Sequence, residues 1–292
     1  MPIIEAIVLG IVQGLTEFLP VSSTAHLDLV PWIVTRLGLA NWSDPGLTFD
    51  VALHAGTLFA ILVYFWRTWL QILRAAFGGK VVRFSETSDN LRDLTPEEQR
   101  CERQLLWFMV AATIPAGIAG ALLEKRIETS FRSPVIVACM LIGVALVMWF
   151  AERIGQFTKP LSQVTLTDAL TVGVLQAFAV IPGVSRSGIT ISGGLFRSLT
   201  REAAARFSFL LSTPIIAGAA LLKLHHVLKE GLPPGMAAPF IVGMVVSAVV
   251  GYATIAWFIR YLELKTLKVF VIYRIILGIL VLLLGYFAGF SA

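Results

Sequence analysis

Three stretches of this chain carry no charge at all: Leu105 to Leu123, Ser133 to Ala151 and Leu232 to Ile259. Each is long enough to cross the hydrocarbon core of a bilayer as an α-helix. In lipid the backbone has no water to bond to, so such a run must pair its own N–H and C=O groups, as a helix does. The composition agrees, with 57% hydrophobic and 14% charged residues, where a soluble domain carries about 25% charged. The sequence therefore predicts an all-α polytopic membrane protein.

Six full spanners are expected, near residues 47–66, 105–123, 134–151, 203–222, 239–259 and 268–288. Two further apolar regions, 3–38 and 165–200, are broken midway by Pro20 and by Pro182-Gly183. Each is expected to enter the membrane as a half-helix, turn, and leave as another. Broken backbone at membrane depth is tolerated where it is buried in protein or lines a polar cavity, so each break points to a site. The two regions match in register. Ala6, Gly10, Gln13, Val21 and Ser22 recur as Ala169, Gly173, Gln176, Val184 and Ser185, and Gly143 recurs as Gly278 in the last spanner of each half. One broken region and three spanners give each half an odd number of crossings, so halves 1–151 and 152–292 are expected to form an inverted-topology repeat.

Charge placement sets the orientation. Segments 67–104, 152–164, 197–206 and 260–268 hold 15 Lys and Arg, whereas 25–46, 124–133 and 223–238 hold 6. The positive-inside rule places the first group in the cytoplasm. Residues Thr95 to Glu98 read as a capped helix start, with Pro96 at the first helical position. The net charge of +5 lacks the basic stripe with interleaved aromatics that nucleic acid requires, so no nucleic-acid partner is expected. Cys101 and Cys139 are too few for a disulfide or zinc framework. Glu5 comes early, with no basic region before it, so the start does not read as a cleaved signal peptide.

Chemistry concentrates at the breaks. In "QGLTEFLPVSSTAHL", residues 13 to 27, Gln13 and Glu17 share a helix face, Pro20 ends that helix, and Ser22-Ser23-Thr24 suits the start of the next. Ser23 and His26 follow within one turn. The plain alternative is caps, a stray ion pair and a core histidine. Ionisable groups are costly in a membrane segment, which favours a functional reading. In "PGVSRSGIT", residues 182 to 190, Ser187 stands where a nucleophile elbow needs glycine, and Ile189 where a P-loop needs lysine. What remains is an anion site: a glycine turn at Gly183, hydroxyls, a helix N-terminus and the Arg186 fork. An inverted repeat brings the two breaks together around a phosphorylated ligand.

These motifs, with "FDVALHAGTL" and "FSFLLSTP", resemble those of the undecaprenyl pyrophosphate phosphatases, the bacitracin-resistance family. The resemblance implies an integral membrane phosphatase that removes the terminal phosphate of a C55 isoprenoid diphosphate and so recycles the carrier lipid for peptidoglycan synthesis. It implies a divalent metal requirement and a site open to the outer, periplasmic face of the bacterial cytoplasmic membrane. The family's (E/Q)xxxE motif falls on Gln13 and Glu17, with an amide at the first position. Its histidine falls on His26, its arginine on Arg186, and its hydroxyls on Ser22, Ser23, Ser185, Ser187 and Thr190.

The expected chemistry is phosphoanhydride hydrolysis. Arg186 and the half-helix N-termini hold phosphate, with Ser22, Gly183, Ser185, Ser187 and Thr190 lining the substrate. Mg²⁺ or Ca²⁺ joins the diphosphate to Glu17, with Gln13 as auxiliary ligand. Ser23 and His26, three apart, form a nucleophile–base pair, or Glu17 or His26 activates water. The rival reading is a secondary transporter or flippase of a phosphorylated lipid, because broken helices in inverted repeats are common there. Carrying phosphate does not require Glu17, Ser23 and His26 together. His54, four residues after Asp50, supports the site from behind or sits at the interface; Arg274 is expected to be structural. His225 and His226 are expected in an outer loop.

Overall fold

A computed structural model describes residues 1–42, 46–79, 83–84, 91–92, 95–130, 133–230 and 235–288. Helices dominate: α1 (Ile3–Thr16), α2 (Ser23–Arg36), α3 (Leu47–Tyr64), α4 (Trp66–Ala76), α5 (Pro96–Ser130), α6 (Pro134–Ile154), α7 (Leu166–Ala177), α8 (Arg186–Phe196), α9 (Arg201–Glu230), α10 (Ala237–Leu264) and α11 (Lys268–Ala288). One two-residue antiparallel ribbon pairs Arg83–Phe84 with Leu91–Arg92. Among the described residues five helices are long and apolar enough to cross a membrane, and α3 with α4 makes a sixth if that bent pair is one span. The chain is an all-α, multi-pass membrane protein.

Local chemistry explains the helix starts. Thr95 and Glu98 bond reciprocally at the head of α5, as the sequence suggested. Thr165 and Asp168 close a capping box on α7, and Ser133 caps α6 with Pro134 at the first position. The predicted spanner 47–66 stops at Tyr64, and the chain then bends by 72° into α4. α4 and its C-cap expose Trp66, Leu70, Leu73 and Phe77 along one stripe, while Ile72 and Ala75 are buried. The outer loop expected at 223–238 begins later, because α9 continues to Glu230; the side chains of His225 and His226 lie outside the described residues.

Both broken regions are helix pairs. α1 and α2 are separated by residues 17–22, and α7 and α8 by a short 3₁₀ turn, Phe178–Val180, and the Pro182-Gly183 corner. Each pair leans on the opposite half of the sequence. α1 lies along α10 and α7 lies along α5, while α3 meets α9 and α6 meets α11. Gly10 and Gly173, matched in the sequence register, explain the first two contacts. A Cβ on Gly10 would come 2.8 Å from Gly243 O, and one on Gly173 would come 2.3 Å from Ala112 O. Backbone cannot yield as a flexible side chain does, so only glycine lets these helices approach so closely.

Buried charge ties the end where most basic residues gather. Asp168, fully buried, accepts from Lys159 and from Arg197 Nε at 2.8 Å. Glu152 receives two parallel bonds from Arg201 and one from the Leu267 backbone N–H. Paired and hydrogen-bonded in this way, the carboxylates escape the cost of isolated burial.

Candidate active site

Both half-helices that follow the breaks start in the same unusual way. Ser22 precedes α2 with φ 77° and Ser185 precedes α8 with φ 63°, a left-handed conformation that non-glycine residues rarely adopt. Such residues cost about 1–3 kcal/mol each and persist only where the surroundings hold them. Arg274 does the holding. Fully buried on α11, it donates to Pro20 O in the first break and to Gly183 O and Val184 O in the second. It also reaches Met140 O and Leu141 O on α6. A broken helix leaves carbonyls without partners, and one guanidinium, with five donors, serves both breaks. The structural place expected for Arg274 is therefore a central one. Ser187 adds a direct stitch, its hydroxyl donating to Leu19 O at 3.1 Å.

The stitched breaks meet at the Glu17 carboxylate, which is 7% exposed. Arg186 donates to its Oε1 through Nη2. Ser23 donates to Oε2 at 2.9 Å, and Gln13 donates to the same oxygen through Nε2 at 3.1 Å. Ser23 and Arg186 are each the first residue of their half-helix, so the two helix N-termini converge on one carboxylate. Arg186 Nη1 is buried and has no hydrogen-bond partner among the described residues. A buried guanidinium N–H without a partner is costly unless a ligand completes it, and this one stands ready for an anion.

Ser23 and His26 do not form the pair that their spacing suggested. His26 Nδ1 turns back to Ser22 O at 2.7 Å, and its Nε2 meets the Tyr273 hydroxyl at 2.6 Å, with the two rings nearly parallel. Side chains on a helix lean toward its N-terminus, which carries the imidazole to the preceding carbonyl. Ser23 is left to Glu17. Of the other expected substrate contacts, Ser185 caps Gly188 N and bonds to Ser187, while Gly183 (φ 90°) packs on Val137 of α6. The Thr190 hydroxyl is committed to Arg186 O and to Ser208 on α9. Ser22 contributes its carbonyl, and its side chain makes no capping bond.

Two members of this cluster had faint signals or none. His54 Nε2 lies 3.5 Å from Glu17 Oε2, closer than a supporting role from behind implied. Tyr273 was signalled only by its place beside an intramembrane arginine. The counterpart of Gln13 in the second half, Gln176, is 1% exposed, and neither of its amide atoms has a partner among the described residues.

Comparison with known proteins decides the family. The profile of the family described as Bacitracin resistance protein BacA matches residues 6–280. The chain belongs to the BacA family. A family relative described as undecaprenyl-diphosphatase in Moorella thermoacetica is 45% identical over 282 residues, 96% of this chain and 97% of that protein. One of the same description in Desulforudis audaxviator is 46% identical over 98% of each chain. A third, in Thermomicrobium roseum, is 43% identical over 99% of this chain and 100% of its own length.

Proposed function

We infer that this BacA-family chain is an undecaprenyl-diphosphatase, a membrane enzyme that hydrolyses undecaprenyl diphosphate to undecaprenyl phosphate and inorganic phosphate. It thereby recycles the carrier lipid of peptidoglycan synthesis, and bacitracin resistance follows from that activity. The observation that carries the mechanism is the convergence of Ser23 and Arg186 on the Glu17 carboxylate. A transporter needs the guanidinium and the helix N-termini; a hydroxyl already donating its proton to a carboxylate is an arrangement for chemistry.

Arg186 and the N-termini of α2 and α8 take the phosphates. The free Nη1 is the first donor available to the anion, and the fork strengthens its hold as charge develops on the transferring group. Ser23 Oγ attacks the terminal phosphorus and passes its proton to Glu17. The Oγ–P bond forms as the bond from phosphorus to the bridging oxygen breaks, and undecaprenyl phosphate leaves with that oxygen. Glu17 hands that proton on to the departing undecaprenyl phosphate and is again a carboxylate when water attacks the phosphoserine; it takes a proton from the water and returns it to Ser23 Oγ as phosphate departs. The fixed donors need no reorganisation during either step, which is where their advantage over water lies.

For a divalent cation, Mg²⁺ or Ca²⁺, the available oxygens are Glu17 and the buried Gln13 Oε1, which has no partner among the described residues. One carboxylate and one amide fit an ion that brings its remaining ligands from substrate phosphates and water. When bound, such an ion neutralises charge on the diphosphate. The matched glycine contacts and matched left-handed serines support halves 1–151 and 152–292 as an inverted-topology pair. The basic asymmetry supports a cytoplasmic-membrane protein whose site opens to the outer face. Surrounding lipid and the polyprenyl diphosphate are its partners.

The deciding measurement is phosphate release from a long-chain isoprenoid diphosphate by the purified protein, with and without chelator, beside Ser23→Ala and Glu17→Gln. Both variants are expected to stay folded and to release no phosphate, and rapid quench of the unsubstituted enzyme to trap phosphoserine. Normal turnover by Ser23→Ala would sink the covalent route, and normal turnover by Glu17→Gln the assignment of the base.

A further inference from the structure

Glu17 has a neighbour that the steps above do not use. His54 comes from α3, and its Nε2 lies 3.5 Å from Glu17 Oε2. Its other ring nitrogen, Nδ1, is 2.7 Å from Asp50 O. A backbone carbonyl only accepts, so Nδ1 carries a proton and Nε2 is the nitrogen turned toward Glu17. With a proton on Nε2 the contact is an ion pair; without one, the two facing acceptors make a place for a cation. A third donor atom is close by: Gln13, fully buried, reaches the same Glu17 oxygen, and its Oε1 has no partner among the described residues.

We propose that His54 Nε2 is a ligand of the divalent cation at this site, shared with Glu17 Oε2 and Gln13 Oε1. This rests on the reading that a divalent cation joins Glu17. Ligands held at about 2.0–2.2 Å by one cation stand roughly 3–3.5 Å from each other, close to the observed separation. Arg186 does not compete for the place, because it holds the other carboxylate oxygen, Oε1, and the ion shares Oε2 with the Ser23 hydroxyl. The Gln13 amide presents oxygen in place of nitrogen by a half-turn of its end group, a rotation that leaves its shape unchanged. Among the described residues no three His, Cys, Asp or Glu come together. The remaining ligands are accordingly water and diphosphate oxygens, and tight binding depends on the diphosphate. Mn²⁺ takes carboxylate and carbonyl oxygen as Mg²⁺ and Ca²⁺ do, and is the paramagnetic stand-in for them.

The experiment uses the full chain in detergent, Mn²⁺ as the probe ion, and methylenediphosphonate as a diphosphate that cannot be hydrolysed. Pulsed electron paramagnetic resonance reads directly bound nitrogen through its ¹⁴N modulation. The unsubstituted protein is expected to bind Mn²⁺ with that modulation, and ¹⁵N-histidine labelling is expected to replace it with the ¹⁵N pattern. His54→Gln is expected to lose the modulation and to weaken Mn²⁺ binding by about ten-fold or more, and Glu17→Gln to lose the ion. The labelled, unsubstituted chain keeps the test valid if His54→Gln fails to fold. Mn²⁺ that depends on Glu17 but shows no histidine nitrogen overturns the ligand assignment alone, as does modulation that survives His54→Gln. Binding that survives Glu17→Gln, or its absence from the unsubstituted protein, overturns the cation reading beneath it.

Discussion

Arg274→Met tests whether one guanidinium holds the two breaks in place. The substitution keeps much of the side-chain volume and removes every donor. Met140 and Leu141 lie within α6, where the helix supplies its own N–H partners, so the exposed loss falls on Pro20, Gly183 and Val184. Each carbonyl left buried without a partner costs about 1–3 kcal/mol. Three of them give on the order of 3–6 kcal/mol once water relieves part of the loss. That is a large share of the roughly 5–15 kcal/mol by which folded proteins exceed their unfolded states. Arg274→Lys should fall between, because one ammonium cannot reach the first break, the second break and α6 together. Thermal unfolding in detergent is the assay, read beside turnover well below the unfolding temperature. The expected order of stability is arginine, lysine, methionine, with turnover lost in the methionine variant even where it remains folded. Unfolding temperatures within a degree of one another, with turnover retained, would refute the idea that Arg274 supports the backbone of the breaks.

Tyr273→Phe removes the hydroxyl at His26 Nε2 and nothing else. If His26 is the group that activates water, loss of one hydrogen bond, about 1 kcal/mol, predicts a fall in kcat of about five-fold with KM little changed; an unaltered kcat would mean that turnover needs no imidazole positioned by α11. Orientation is checked by single cysteines at Ser88 and Gly231, both outside the described residues, in a background without Cys101 and Cys139. An impermeant thiol reagent added to intact cells should label position 231 and spare position 88, and the reverse would invert the topology.

The polar residues of the site were legible because lipid makes them conspicuous. Gln13, Glu17 and Arg186 stand in segments that have no reason to carry them unless they are buried or bound. The breaks were legible for the same kind of reason, since Pro20 and Pro182-Gly183 interrupt runs that would otherwise continue. Partner choice was not legible. Spacing along α2 placed Ser23 and His26 on one face, but the lean of the imidazole toward Ser22 separated them. The approach of His54 to Glu17 depends on how α3 lies beside α1, which no periodicity within either segment encodes. The bend after Tyr64 has neither proline nor glycine to announce it, so the expected spanner overran it to residue 66 and the rest of α4 fell within the segment 67–104, read as cytoplasmic with no helix at that place.

The lean of α1 on α10 has a consequence for synthesis. α1 and α2 leave the ribosome long before α10, which begins only at Ala237. About 200 residues intervene, and at roughly 5–20 residues per second they take on the order of 10–40 seconds. Throughout that interval Gly10 and Gly14 lack the groove made by Gly243, Ser247 and Gly251, and for its greater part Glu17 also lacks the guanidinium of Arg186. A short helix pair with an unpaired carboxylate does not stay in hydrocarbon. This helix pair must therefore wait at the headgroups, or in the care of the insertion machinery, and enter the bundle only when the second half arrives to receive it.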